Sequence, residues 1–283
     1  MAARPRTLPA AVAPVLVGTA VAVTGGTFRA GAFLAALLGA LFIQVGTNLS
    51  NDYSDARRGA DTEDRLGPVR VTAGGLVPPR SVLVATYVTF GLATLCGIYL
   101  VAVAGWELLV VGVLSIAAGV LYTGGPRPYG YEGLGEVFVF LFFGVAAVAG
   151  SAFAQLEEWP AEAFAFAVPV GLLAAAILVV NNVRDIDTDR RAGKRTLAVR
   201  LGRDRARDAF AAMVYGAFVV LVPAAVFYSP WVLLPLALIP GAAPVVRTVR
   251  THVDGPSLNA ALGRTGLLQL AFCVVLSAGI LLA

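Results

Sequence analysis

Nine stretches of the chain, at roughly 8–26, 31–49, 82–104, 108–124, 137–155, 163–182, 209–228, 231–246 and 265–283, contain no acidic or basic residue. They are apolar nearly all round, without the one-sided pattern of a helix lying on a soluble core. About 20 such residues at a rise of about 1.5 Å each cross a hydrocarbon layer, so each stretch predicts a membrane-spanning helix. Segment 231–246 is short and carries Pro235 and Pro240, which leaves its ends soft. Neighbouring helices can satisfy the backbone groups that a proline frees. An odd count of spans puts the two termini on opposite faces.

Composition removes the soluble alternatives. Of 283 residues, 58% are hydrophobic and only 13% charged; the mean hydropathy is +0.82. A soluble domain carries about 25% charged residues. Disorder, a coiled coil and a disulfide scaffold are excluded on the same grounds. Cys96 and Cys273 both lie in apolar runs and read as small buried hydrophobes, and the single His252 cannot found a histidine metal cluster. Arg4 and Arg6 precede a run longer than a signal-peptide core, with no convincing cleavage site, so no cleavable leader is expected.

Charge then orients the bundle. With the N-terminus on one side, 20 of the 21 Lys and Arg residues fall on that side and Arg29 alone falls opposite, with Glu107, Glu157, Glu158 and Glu162. Positive loops stay in the cytoplasm. The expectation is nine helices in a single transmembrane domain over 1–283, with the N-terminus inside and the C-terminus outside. No nucleic-acid partner is implied; the bilayer is.

Two cytoplasmic connections, about 50–80 and 183–208, hold most of the acidic residues. Connections this long are usually functional or disordered. The first begins Asn48-Leu-Ser-Asn51-Asp52-Tyr53-Ser-Asp55-Ala-Arg57-Arg58-Gly59-Ala-Asp61. Asn48 and Asp52 share a face if the helix continues, with Asp55 nearby. The other begins Asn181-Asn182-Val-Arg184-Asp185-Ile-Asp187-Thr-Asp189, where Asn181, Asp185 and Asp189 form one stripe. A single Asp at a helix end is ordinarily a solvated loop charge. Two such stripes, each at the inner end of an even-numbered span and each followed by Arg-Arg and Gly, are better explained by a shared ligand. Crowded carboxylates need a cation. Oxygen-only ligation selects Mg²⁺, Ca²⁺ or Mn²⁺, and Mg²⁺ typically joins one or two carboxylates to substrate phosphates. The neighbouring Arg57, Arg58, Arg190, Arg191, Lys194 and Arg195 suit anionic oxygens.

These segments resemble those of the UbiA superfamily of intramembrane prenyltransferases, over essentially the whole chain. Three of them carry the likeness. The first is Gln44-Val-Gly-Thr-Asn48-Leu-Ser-Asn51-Asp52-Tyr53-Ser-Asp55, followed by Gly59-Ala-Asp61-Thr62 and Arg65-Leu-Gly-Pro68-Val-Arg70. The second is Tyr122-Thr-Gly-Gly-Pro126-Arg127-Pro, then Gly133-Leu-Gly135-Glu136. The third is Asn181 through Asp189, then Gly193-Lys194-Arg195-Thr196. Together they are similar to the menaquinone branch, the 1,4-dihydroxy-2-naphthoate polyprenyltransferases.

The resemblance implies an all-α bundle of nine helices around a central cavity, with active-site loops near 50–80, 124–136 and 183–208. It implies Mg²⁺ held by Asn48, Asp52, Asp185 and Asp189 and bridging a polyprenyl diphosphate, with Asp55 and Asn181 in or beside that shell. Asp52, Asp55, Asp185, Asp189 and Tyr122 are the expected catalytic residues. Arg57, Asp61, Arg65, Tyr122, Arg127, Asn181, Lys194 and Arg195 are the expected substrate contacts. Glu136 is a candidate for handling the acceptor, or equally a capping residue at the start of helix five. Phe138, Phe140, Phe142 and Phe143 read first as packing, and only second as faces for an allylic cation.

The implied activity is transfer of the polyprenyl group to 1,4-dihydroxy-2-naphthoate with loss of CO2 and diphosphate, at the inner face of the cytoplasmic membrane. Hydroxybenzoate, homogentisate or haem acceptors would use the same metal site. A transporter is the rival from another class, but transporters place ionisable residues or broken helices near the midplane, and no span here carries a charge. A CDP-alcohol phosphotransferase needs Asp-Gly ahead of Ala-Arg, a frame that Asp55-Ala-Arg57 lacks.

Overall fold

The uncharged runs fold as helices, the only open-ended structure that satisfies every backbone group in lipid. The computed structural model describes residues 4–60 and 66–283. The α-helices are α1 (Pro9–Thr24), α2 (Ala30–Arg57), α3 (Pro79–Ala104), α4 (Glu107–Leu121), α5 (Gly135–Val139), α6 (Ala147–Leu156), α7 (Ala161–Arg191), α8 (Leu197–Leu201), α9 (Arg203–Val219), α10 (Leu221–Phe227), α11 (Ile239–Thr251) and α12 (Gly255–Leu281). No strand occurs among the described residues.

Eight helical segments among the described residues are long and apolar enough to cross a membrane, and a shorter one, Glu107–Leu121, stands where the fourth span was expected. The chain is an all-α, multi-pass membrane protein. Four segments among the described residues depart from plain α-helix, one of them a 3-10 turn over Tyr129–Glu132. A π-helical segment, Phe140–Ala146, joins α5 to α6 within the fifth span. Residues Pro230–Leu238 form a 3-10 helix with Pro235 inside it, ahead of α11; a proline removes a backbone donor and disfavours the continuous α ladder. A 3-10 turn over Pro5–Thr7 leads into α1.

Two helices outrun the apolar layer at their C-terminal ends. α2 runs on to Arg57 and α7 to Arg191. The two acidic motifs therefore lie on the last turns of long helices, where spacing dictates which side chains share a face, and not in free loops.

Burial is uneven around the bundle. The apolar stretch of α7 is 72% buried and that of α3 only 17%, so α7 is the hub and α3 an outer wall. α7 packs against α1, α5, α6, α9, α12 and the π segment. The main core, with Phe166, Leu173, Phe210, Phe272 and Leu276 fully buried, gathers on this side. On α3 and α4, Tyr87, Val88, Leu95, Val110 and Leu114 face outward, as a lipid-facing surface requires. Between the hub and the α2–α4 wall lies a cavity of about 380 Å³.

Candidate active site

The polar end of the cavity is built from the last turns of α2 and α7. On α2 the residues that line it are Gln44, Asn48, Asn51 and Asp55. Their steps of four, three and four trace one helix face. Asp52 does not line the cavity. It is turned about 100° from Asn51 around the helix and is buried against the connection to α3, where its carboxylate accepts the backbone N–H of Thr72 at 2.9 Å and of Val71 at 3.2 Å. Val71 itself packs with Leu49 and Val82. That connection is pinned to α2, and its Arg70 lies 3.3 Å from the Asp55 carboxylate. Asp55 faces the cavity, whereas Asp52, expected as a metal ligand, lies against the connection to α3 and holds its backbone. A spacing of four identifies a face without saying which way it points.

On α7 the expected stripe holds, for Asn181, Asp185 and Asp189 all line the cavity. The buried Arg184 wraps its own neighbour, with Nε 2.8 Å and a terminal nitrogen 2.5 Å from the two Asp185 oxygens. It also donates to Asn181 Oδ1 at 2.9 Å and to Asn259 Oδ1 of α12 at 2.6 Å. A buried cation with this many acceptors is tolerable; stripped of them it would be costly.

Lys194 ties the two helix ends together. Its Nζ sits 3.5 Å from Asp55 and 3.9 Å from Asp189, over the face of Tyr131 at 4.7 Å. The Tyr131 hydroxyl donates to Asp55 at 2.7 Å. The loop after α7 is fixed there because the Arg195 backbone N–H donates to the Tyr131 carbonyl at 2.8 Å. The Arg195 side chain is exposed and lies off the cavity, as do those of Arg57 and Arg127; these three expected substrate contacts are not brought into the site. Arg57 instead donates to Tyr53. Asp61 and Arg65 fall outside the described residues.

Tyr122 is where it was expected, lining the cavity. Its ring is clamped by backbone. A Cβ on Gly130 would come within 2.8 Å of it, and one on Gly135 within 3.3 Å of the ring and 2.9 Å of Leu178. Burial raises the Tyr129 phenol above its ordinary range. Tyr122 meets Tyr129 edge-on at 5.5 Å; Tyr129 stacks on Phe138 at 4.0 Å, and Phe138 lies 6.1 Å from Phe142. These four rings form one cavity wall, which places Phe138 and Phe142 on the cavity. Beyond them the lining is apolar, with Val15, Ile43, Ile98, Leu109 and Ile116.

The donor set suits a hard divalent ion. Asp55, Asp185 and Asp189, with the amide oxygens of Asn48, Asn51 and Asn181, offer oxygen alone. No three acidic, His or Cys side chains among the described residues cluster tightly enough to cage a metal by themselves. Sequence reading missed Asn51, Arg70 and Tyr131 as site residues. The 4-3-4 spacing from Gln44 to Asp55 was a usable signal for Asn51; nothing local marks Arg70 or Tyr131, which arrive from distant loops.

Comparison with known proteins agrees with this geometry. The chain is 42% identical over 275 residues to the 1,4-dihydroxy-2-naphthoate octaprenyltransferase of Mycobacterium tuberculosis, covering 97% of this chain and 94% of that one. It is 41% identical to the enzyme of the same name from Escherichia coli, covering 93% and 88%. In three dimensions it is similar to a UbiA homolog from Archaeoglobus fulgidus bound to DMAPP and Mg²⁺, with a TM-score of 0.70 at 16% identity over 98% of this chain and 97% of that one. An apo UbiA homolog from Aeropyrum pernix superimposes with a TM-score of 0.64 at 18% identity over 96% and 97%. Residues 11–262 match the UbiA prenyltransferase family as a whole, and the chain belongs to that family.

Proposed function

We propose that this protein transfers a polyprenyl group from polyprenyl diphosphate to 1,4-dihydroxy-2-naphthoate, releasing diphosphate and CO2. One observation carries the reading: Lys194 bridges Asp55 of α2 and Asp189 of α7 at the polar mouth of a cavity walled by aromatic and apolar side chains. The relatives' names support the naphthoate acceptor.

The layout sets the chemistry. Lys194 and Arg70, both largely buried, stabilise the charge that develops on the departing diphosphate oxygen. Asp55, Asp185 and Asp189 would hold Mg²⁺, which would supply further positive charge there. The allylic C–O bond breaks toward this polar end. The apolar wall keeps water from the allylic carbon, and the rings of Tyr122, Tyr129, Phe138 and Phe142 face the electron-poor centre. The ring carbon bearing the acceptor's carboxylate attacks; its bond to the carboxylate then breaks, CO2 leaves and the electron pair returns to the ring. The prenyl tail extends along the apolar lining. The charge asymmetry between the two faces supports a cytoplasmic mouth in the inner membrane.

Purified protein incubated with 1,4-dihydroxy-2-naphthoate, a polyprenyl diphosphate and Mg²⁺ should yield a prenylated, decarboxylated naphthoquinol by mass, and chelation should abolish it. Product from hydroxybenzoate or homogentisate alone would keep the chemistry and overturn the acceptor. Vesicle uptake of a solute without turnover would favour transport.

A further inference from the structure

A buried carboxylate off the cavity has no part in the steps derived above. Glu136, near the start of α5, is 4% exposed. It does not line the cavity. One of its oxygens accepts Asn182 Nδ2 at 2.9 Å, and the other has no hydrogen-bond partner. Asn182, one residue past the metal-facing Asn181 on α7, is buried and does line the cavity.

A carboxamide has a donor prong and an acceptor prong, and fixing one fixes the other. The Glu136 oxygen that meets Nδ2 accepts, so Asn182 must keep its nitrogen toward α5 and its Oδ1 away from it. Without that partner the amide could turn over at little cost. We propose that Glu136 is a positioning residue for Asn182, holding Oδ1 toward the cavity to accept a hydrogen bond from a ring hydroxyl of the aromatic acceptor. Tyr122 stands close by, its ring and hydroxyl lying against Gly135, so the acceptor ring is oriented between an amide oxygen and a phenol, against the stacked Tyr129 and Phe138. This assignment rests on the proposed function, in which the acceptor is a hydroxylated aromatic.

The test is a side-chain swap read as separate KM values. Glu136→Gln can offer Asn182 an N–H and let the amide turn, so the acceptor KM should rise about tenfold, the worth of about one hydrogen bond. The KM for prenyl diphosphate should stay within about twofold. The double variant Glu136→Gln/Asn182→Asp restores one donor, one acceptor and an oxygen facing the cavity, and should recover most of the acceptor KM. Should Glu136→Gln fail to fold, Asn182→Ala removes the presented oxygen without touching Glu136 and should raise the acceptor KM alone. An acceptor KM unchanged in Glu136→Gln or in Asn182→Ala, or a rise shared equally by both substrates, overturns the proposal. A wild-type protein that makes no product from the naphthoate but prenylates another hydroxyaromatic overturns the acceptor reading instead, and the same swap is then measured with that compound.

Discussion

α7 reaches its acidic end wrapped by protein on nearly every side, whereas α2 reaches its own with little of its length buried. On α7 the carboxylate pattern read from the sequence coincides with the face that lines the cavity, because the hub helix directs its stripe at the cavity. On α2 the same pattern divides. Asn48, Asn51 and Asp55 turn to the cavity, and Asp52 turns to the Val71 and Thr72 backbone. The lesson is that a carboxylate at a helix end has two employments, binding a ligand or capping a neighbouring loop, and the neighbouring elements decide between them. The balancing of charge differs too. Asp185 is matched from its own helix by Arg184. Asp55 is matched from elsewhere, by Arg70 and Lys194.

The contrast between the two helix ends can be broken most sharply at their cavity-facing carboxylates. Asp55→Asn and Asp185→Asn should each lower kcat by about a thousandfold or more while the protein still inserts and purifies, since each removes charge where the leaving diphosphate is held. Near-normal turnover in either would end the argument for convergent helix ends. Lys194→Ala comes next, with the KM for prenyl diphosphate raised by about one to two orders of magnitude, measured by initial rates at saturating acceptor. Asp52→Asn should be milder, about tenfold in kcat, because Asn still accepts one backbone N–H. Its Mg²⁺ titration should match wild type, while limited proteolysis between α2 and α3 should speed up. A Mg²⁺ midpoint shifted as far as in Asp55→Asn would return Asp52 to the metal.

Smallest of all, Arg57→Ala at the α2 end and Arg127→Ala should stay within about twofold of wild type in both KM values, because both side chains are exposed and off the cavity.

Much of the fold was legible because lipid is an undemanding solvent to read. A run without charge and long enough to span has to be a helix, and eight long segments with one shorter one bear that out. The irregular places, the 3-10 stretch around Pro235 and the soft ends of that span, were flagged by proline. The π segment carried no comparable mark. Asn181, Asp185, Asp189, Lys194 and Tyr122 all come to the cavity because motif and face agree there. Arg57, Arg127 and Arg195 lie off the cavity because a cation near an acidic motif in sequence need not point where the motif points. Arg70 and Tyr131 were missed because each reaches Asp55 across a turn of chain that no local period encodes.

By itself, then, the sequence determined that the chain is an all-helical, multi-pass membrane protein and that two acidic motifs stand at the ends of its helices. These follow from hydropathy, charge and side-chain type, which need no partner to define them. The tertiary structure alone decided which side of α2 faces the cavity, which cations reach the carboxylates, and that Asn182 is held by Glu136. Those are properties of contacts between segments far apart in the chain, and a helix repeats its faces every turn without recording what will pack against each.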